Sequence, residues 1–230
     1  SGGIYMKAGL GSTGTGGEVY LSGGLTTDTA AASSTGGRVS IVSGYSVAKS
    51  SGAMLLQTAN SGTAGVSGMV VMSTGTSAGG NSGHIFIGSA EATTGGRSGG
   101  IYVTAGRGAS GTGGEVYMSA GLTTASAAGG RVLLKSGHST ASTSGEMVLQ
   151  TANSGSGHAS GLMVLSTGTS ASGNTGTIYM GTGDSAGGDS GHVYITSGEA
   201  ASGGRSGGIY MKAGLGSTGT GGEVYLSGGL

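Results

Sequence analysis

The stretch Ser1–Leu25, SGGIYMKAGLGSTGTGGEVYLSGGL, decides how the rest of the chain is interpreted. It recurs without a change at Ser206–Leu230. Identity of this length does not arise by chance, and self-similarity at a fixed spacing is the signature of repeat architecture. Because the chain stops inside a copy, we interpret residues 1–230 as a single continuous repeat array and as a segment of a longer periodic chain.

One repeat accounts for nearly the whole chain: G-x-[VIM]-x-[LIMV]-x-[SATG]-[GA], followed by seven or eight small residues. We call the eight patterned residues the run, with positions one to eight, and the small residues the tail. The repeats recur at steps of 15 or 16 residues, apart from one step of 20 that carries an insertion around Thr26–Ser34. They group into blocks 2–98, 99–206 and 207–230. The fifteen first glycines are residues 2, 17, 37, 52, 68, 83, 99, 114, 130, 145, 161, 176, 191, 207 and 222.

The run has the composition and alternation of a short β-strand. Three to five β-prone residues stand between glycines, and neither the glycine content nor the spacing fits a helix. We therefore predict strands near residues 3–8, 18–22 and 38–43, and at the same place in every later repeat. Glycines at the start and end of each run suit tight corners and positive φ. The fold predicted from these features is an all-β parallel solenoid, or β-helix, with coils about 4.8 Å apart.

Charge placement bears on the number of repeats in each coil. With one repeat per coil, Glu18 stacks near Arg38, and Arg131 lies between Glu115 and Glu146. With two repeats per coil, Glu115 stacks on Glu146 and the opposite charges are separated. Opposite charges side by side are favoured over like charges, so one repeat per coil is the preferred interpretation.

Alternation within the run predicts an inward and an outward face. Positions three and five should be buried, and position four should point outward although it is almost never polar. Such an apolar row indicates either a contact surface between molecules or a ladder that stabilises its own sheet. The predicted core includes Val19, Leu21, Val39, Ile41, Ile85, Ile87, Val116, Met118, Val132, Leu134, Val193 and Ile195. The outward residues, here called the stripe, are Tyr5, Tyr20, Leu55, Val71, Phe86, Tyr102, Tyr117, Leu133, Val148, Val164, Tyr179, Tyr194, Tyr210 and Tyr225.

Composition excludes several kinds of partner. The formal net charge is zero, whereas nucleic acids and anionic membranes attract a basic excess. No apolar run reaches the ~18 residues that span a bilayer. A flexible Gly/Ser/Thr linker is the plain alternative, but the hydrophobic content is 35% and those residues are periodic.

No motif names a reaction. Gly9–Gly14 and Gly106–Gly111 fit the GxGxxG pattern, but no predicted helix follows to receive a pyrophosphate. The Gly188–Gly191 segment, GDSG, and the adjacent His192 lack the rest of a serine-protease framework. Histidines and aspartates are too scattered for a metal cluster or for calcium-binding repeats. We therefore expect no enzyme activity, no cofactor and no metal.

The GG-x-V-x-L-x-S-G pattern with STGTGG tails resembles the Gly/Ser/Thr-rich repeats of secreted β-solenoid fibre and surface-appendage proteins. The resemblance concerns architecture along the whole chain and brings no catalytic residue with it. It implies an extracellular or cell-surface fibre shaft that self-associates end to end and laterally, with tails that could carry O-glycans. The alternative is a solenoid that binds ice or glycan through Ser/Thr faces, although the Thr-Gly-Thr sequences fall at different positions and skip most repeats.

Overall fold

The computed structural model describes residues 2–12, 14–29, 34–201 and 203–229. The chain divides into two compact parts, Ser1–Val116 and Tyr117–Leu230. Within each part, the same local organisation repeats: an extended run, then a tail that folds back on itself. The division falls inside the run that begins at Gly114, and the interpretation of the chain as one array with three blocks stays a prediction.

The described ranges contain no helix and no β-strand. The predicted strands at 3–8, 18–22 and 38–43 are therefore absent, and the prediction of an all-β parallel solenoid or β-helix is wrong. A strand needs backbone hydrogen bonds to a neighbour along its length. The described ranges contain ten backbone–backbone hydrogen bonds, and none of them joins the middles of two runs.

The charge stacking that favoured one repeat per coil fails for the same reason. Runs that are not paired do not place equivalent residues side by side. Accordingly, Glu18 and Arg38 form no ion pair, and neither does Arg131 with Glu115 or Glu146.

Successive repeats meet at one place, which we call the neck. The first glycine of each repeat lies against the position-seven residue of the repeat before it. A β-carbon added to Gly114 would lie 3.1 Å from Ala105 Cβ, and one added to Gly161 would lie 3.3 Å from Thr151 Cβ. This arrangement recurs at all fourteen first glycines from Gly17 to Gly222. Position one is therefore glycine because a side chain would fill the space where the two segments approach.

The necks differ in whether a backbone hydrogen bond closes them. In seven necks the first glycine donates its N–H to the position-eight glycine, as from Gly130 N to Gly121 O at 2.9 Å. Each of these necks has Ala, Gly or Ser at position seven. The five necks with threonine there lack the bond, and so do the two necks of Ser89 and Ser197. A hydroxyl group joins two of these necks instead: Ser89 Oγ donates to Gly99 O at 2.6 Å, and Thr182 Oγ1 donates to Gly191 O at 3.4 Å.

Positive φ occurs elsewhere than the sequence suggested. No described first glycine of a repeat has positive φ, so the corner role predicted for these positions is wrong. The left-handed conformation belongs to tail glycines, where the chain must reverse within a few residues. The described glycines with positive φ are Gly14, Gly95, Gly96, Gly111, Gly157 and Gly203.

The described residues enclose no core. None is buried, and the side chains predicted to be inward are 50% to 70% exposed. The accessible surface is 22896 Å², against about 9,100 Å² for a globular protein of this mass and about 31,000 Å² for its unfolded chain. The inward prediction is therefore wrong for Val19, Leu21, Val39, Ile41, Ile85, Ile87, Val116, Met118, Val132, Leu134, Val193 and Ile195.

Successive repeats also touch outside the neck, at positions three and five of their runs. Ile4 and Ile209 occupy identical sequences, yet Ile4 is 94% exposed and Ile209 is 50% exposed. Within residues 1–230 no repeat stands before Ile4 to cover it, so the difference reflects contact of position three with the preceding repeat. Position five shows the same effect on the side of the following repeat. Leu226, after which residues 1–230 hold no further repeat, is 79% exposed, and Leu21 in the identical sequence is 64% exposed. Each run therefore touches its neighbours at its two ends and leaves its middle free.

We expect hydrogen exchange in the dilute single chain to follow this pattern. Run amides such as those of Val132 and Leu133 have no bonded carbonyl, so they should exchange within about tenfold of an unstructured peptide. Neck donors such as Gly130 should exchange more slowly. Amide exchange followed by NMR measures both groups, and protection of run amides by more than about 100-fold would contradict the fold described here.

Candidate functional site

The described ranges contain no cavity and no group of three or more His, Cys, Asp or Glu side chains close enough to hold a metal ion. None of their segments is a helix of the length and apolarity needed to cross a membrane. The expectations of no enzyme activity and no cofactor stay predictions.

The segments that match chemical motifs are filled by residues of the same segment. In the GxGxxG segment 106–111, a β-carbon on Gly108 would lie 2.8 Å from Thr112 O, so the tail is filled by its own backbone. In the GDSG segment, His192 meets Tyr194 edge to face with ring centroids 5.8 Å apart, and it makes no hydrogen bond to Ser190. Neither segment therefore presents an open cradle or a nucleophile–base pair.

The stripe is the most exposed part of the runs. Its fourteen side chains are 62% to 94% exposed, from Val148 to Tyr210. All lie in described residues, and the structure brings none of them into an enclosed site. The surface is therefore a row of separate apolar groups, repeated once in each run except that of Ser40.

Side chains two residues apart share a face of the run, as expected for extended backbone. The ring of Tyr102 lies over Gly100, where an added β-carbon would be 3.1 Å from Tyr102 Cε2. His84 contacts Phe86 in the same way, with ring centroids 5.8 Å apart. In five repeats, therefore, position two contacts the stripe residue at position four, either as a glycine that makes room or as a second ring.

The two interpretations of the stripe have different structural needs. A ladder inside one chain requires neighbouring paired strands. The part of the chain that the structure describes has none, so a ladder has no sheet of its own to stabilise. A contact surface needs only exposure and periodicity, and both are present. The assembly role of the stripe is the interpretation we keep, and it stays a prediction.

Sequence reasoning missed how the tails use their hydroxyl groups. Gly188 N donates to Ser185 Oγ at 3.1 Å, and Gly173 N donates to Ser170 Oγ at 2.9 Å. The same contact, in which the N–H of the third residue after a serine donates to the serine hydroxyl, occurs between Gly80 and Ser77. The signal was the recurring Ser-x-x-Gly in the tails, which is typical of a turn closed by a serine hydroxyl.

Comparisons of the chain with protein-family models, with curated proteins and with solved structures find no match.

Proposed function

We propose that this protein is a structural component of a filament, in which copies associate through the stripe. The observation that supports the proposal is the stripe itself: fourteen exposed apolar or aromatic side chains at a constant position of a constant repeat. A chain that exposes one such side chain in almost every repeat is suited to burying them against other chains.

The energetics point the same way. Ordering one residue costs about 1–2 kcal/mol in backbone entropy, which a globular protein offsets mainly by burying apolar surface. Here the described residues bury no side chain fully. Association supplies what the single chain lacks, because each apolar Å² removed from water contributes about 25 cal/mol. The formal net charge of zero adds no overall repulsion between copies.

The filament is proposed without stacked coils, because the fold of the chain is not a solenoid. The expected location, outside the cell or at its surface, rests on the resemblance of the repeats to those of surface fibres. O-glycans on the tails and end-to-end association remain expectations of the same kind.

Binding of ice or glycan by the Ser/Thr tails is not favoured by a specific observation. Hydroxyl groups such as that of Ser185 accept N–H groups within their own tail. Methyl groups of neck threonines such as Thr182 face a glycine of the next repeat. These side chains make contacts within the chain and are not aligned along one flat face.

Electron microscopy and sedimentation of the purified chain test the proposed function. We expect filaments above a critical concentration and a monomer below it. Glycan arrays and ice recrystallisation assays on the same sample serve as the comparison for the alternative. A chain that stays monodisperse and monomeric at high concentration would overturn the filament proposal.

A further inference from the structure

The runs contain no helix, their side chains two residues apart share a face as in extended backbone, and the middles of the described runs have no backbone partner. In the run of repeat thirteen, Val193, Tyr194 and Ile195 make no backbone hydrogen bond. The same holds for the middle of every described run, because the ten backbone bonds lie at necks and in tails. An extended segment with free N–H and C=O groups on both edges is a template for another segment.

We propose that these edges pair with a second copy of this chain. Each run then lies beside the identical run of the other copy, in parallel and in register. The proposal rests on the filament function above and specifies how the copies join. Backbone hydrogen bonds between copies would run along the filament about 4.8 Å apart, and stripe packing would then join such stacks sideways. The extended runs become strands only in the assembly.

The spacing of the repeats identifies the occupant and the register. Most steps between first glycines are 15 or 16 residues, and the step from Gly17 to Gly37 is 20. If one copy is shifted by one repeat, the 20-residue step in one chain lies beside a 15- or 16-residue step in the other, and the runs there no longer align. At zero shift every run, neck and tail meets its own equivalent. A different protein would need the same irregular series of steps, so a second copy of this chain is the partner that fits.

The position-one glycines allow such stacking at the necks. Each neck brings two backbones close, as at Gly130, where an added β-carbon would lie 2.8 Å from Gly121 N. Because position one has no side chain and position seven carries only Gly, Ala, Ser or Thr, a neck is narrow. Identical necks stacked in register therefore bring only small side chains against one another.

Stacking in register also places like charges side by side, for example Glu18 beside Glu18. Two unit charges at this spacing in water repel each other only weakly, and salt screens the repulsion further. Each run, by contrast, offers several backbone hydrogen bonds to its equivalent. Only 8% of residues are charged, so pairing outweighs repulsion, and added salt should lower the critical concentration.

Isotope-edited infrared spectroscopy of assembled filaments tests the pairing. Chains carrying ¹³C at the tyrosine carbonyl should show a coupled, shifted ¹³C amide I band, because in-register copies align these carbonyls. Diluting the labelled chain about tenfold with unlabelled chain before assembly should abolish the shift, since the coupling is between copies. Fibre diffraction of the same sample should show a spacing of about 4.7–4.9 Å along the filament axis.

Two proline variants provide a matched pair. Val193→Pro removes an N–H that has no partner in the single chain, so only the assembly should lose a bond, and its critical concentration should rise at least tenfold. Ala186→Pro falls at the second position of the serine turn that begins at Ser185, where proline is favoured, and should assemble like wild type.

The outcomes separate this inference from the function on which it rests. Filaments whose ¹³C band does not respond to dilution, or for which the two proline variants behave alike, would overturn the pairing and leave the filament function standing. Absence of filaments under all conditions would overturn the function and the pairing together.

Discussion

Replacing Gly130 by valine opens the neck between two repeats. The backbone of Gly130 approaches Gly121 so closely that an added β-carbon would lie 2.8 Å from Gly121 N and 3.2 Å from Ala120 Cβ. Gly130 N also donates the hydrogen bond to Gly121 O, at 2.9 Å. A bulky side chain forces the segments apart and breaks this bond, at a cost of about 1–3 kcal/mol.

Spin labels measure the opening directly, because the chain has no cysteine of its own. Labels on cysteines introduced at Met118 and Val132 flank the neck on the two runs. We expect the label–label distance to lengthen and its distribution to broaden, with the closed fraction reduced roughly 5- to 150-fold.

Gly129→Ala is the matched control for this neck. An added β-carbon at Gly129 meets only Gly121 O at 3.7 Å, which is ordinary contact. Its distance distribution should stay that of the parent chain. If Gly130→Val leaves the distribution as narrow as the control does, close approach is not the reason for glycine at position one.

Changing three tyrosines of the stripe to serine should have the largest effect on assembly. Tyr102, Tyr117 and Tyr194 are 91%, 80% and 81% exposed in the single chain, so the single chain loses little when they are shortened. In a filament each ring would lose contacts worth about 1 kcal/mol or more. The triple variant should therefore raise the critical concentration about 100-fold or more, measured by sedimentation.

Two controls make this result specific to the stripe. Tyr45 is 86% exposed but lies in a tail, and Tyr45→Ser should leave the critical concentration unchanged. The triple Tyr→Phe variant keeps the rings and should assemble like the parent chain. An equal effect of Tyr45→Ser and of the stripe variant would show that general hydrophobicity, not the stripe, drives association.

The repeat is evident from the sequence itself, and the predicted alternation of side chains persists only as a local difference in exposure. Recurring glycine disfavours helix, and apolar residues at positions three and five mark one side of the run. The structure agrees locally: Tyr102 lies over Gly100, and Ile209 is less exposed than Tyr210. These features depend on neighbours within a few residues, which is the range that a periodic pattern encodes.

The pairing of runs could not be predicted in the same way. A period of two shows that a segment is extended but does not say which segment lies beside it. The sequence was equally compatible with pairing inside the chain, and the resemblance to solenoid repeats favoured that choice. In the described residues the close approach at Gly114 and its equivalents is limited to the run ends, and no backbone bond joins the middles of two runs.

The role of position-one glycine was also misjudged for a physical reason. Glycine serves both positive φ and close approach, and sequence alone does not separate the two. The clue lay in position seven, which is small in every repeat. A small residue there has no conformational purpose in an extended run, so it indicates that another segment lies against it.

The necks also give the chain a way to lengthen under load. The tail between Gly121 and Gly130 is held closed by one N–H···O bond, and releasing it frees eight residues, or up to about 28 Å of contour. The neck of Thr182 and Gly191 lacks this backbone bond and is joined instead by the Thr182 hydroxyl, which donates to Gly191 O at 3.4 Å. A chain of such repeats is therefore closed by weak single bonds in series, so under tension it should lengthen in steps, one tail at a time.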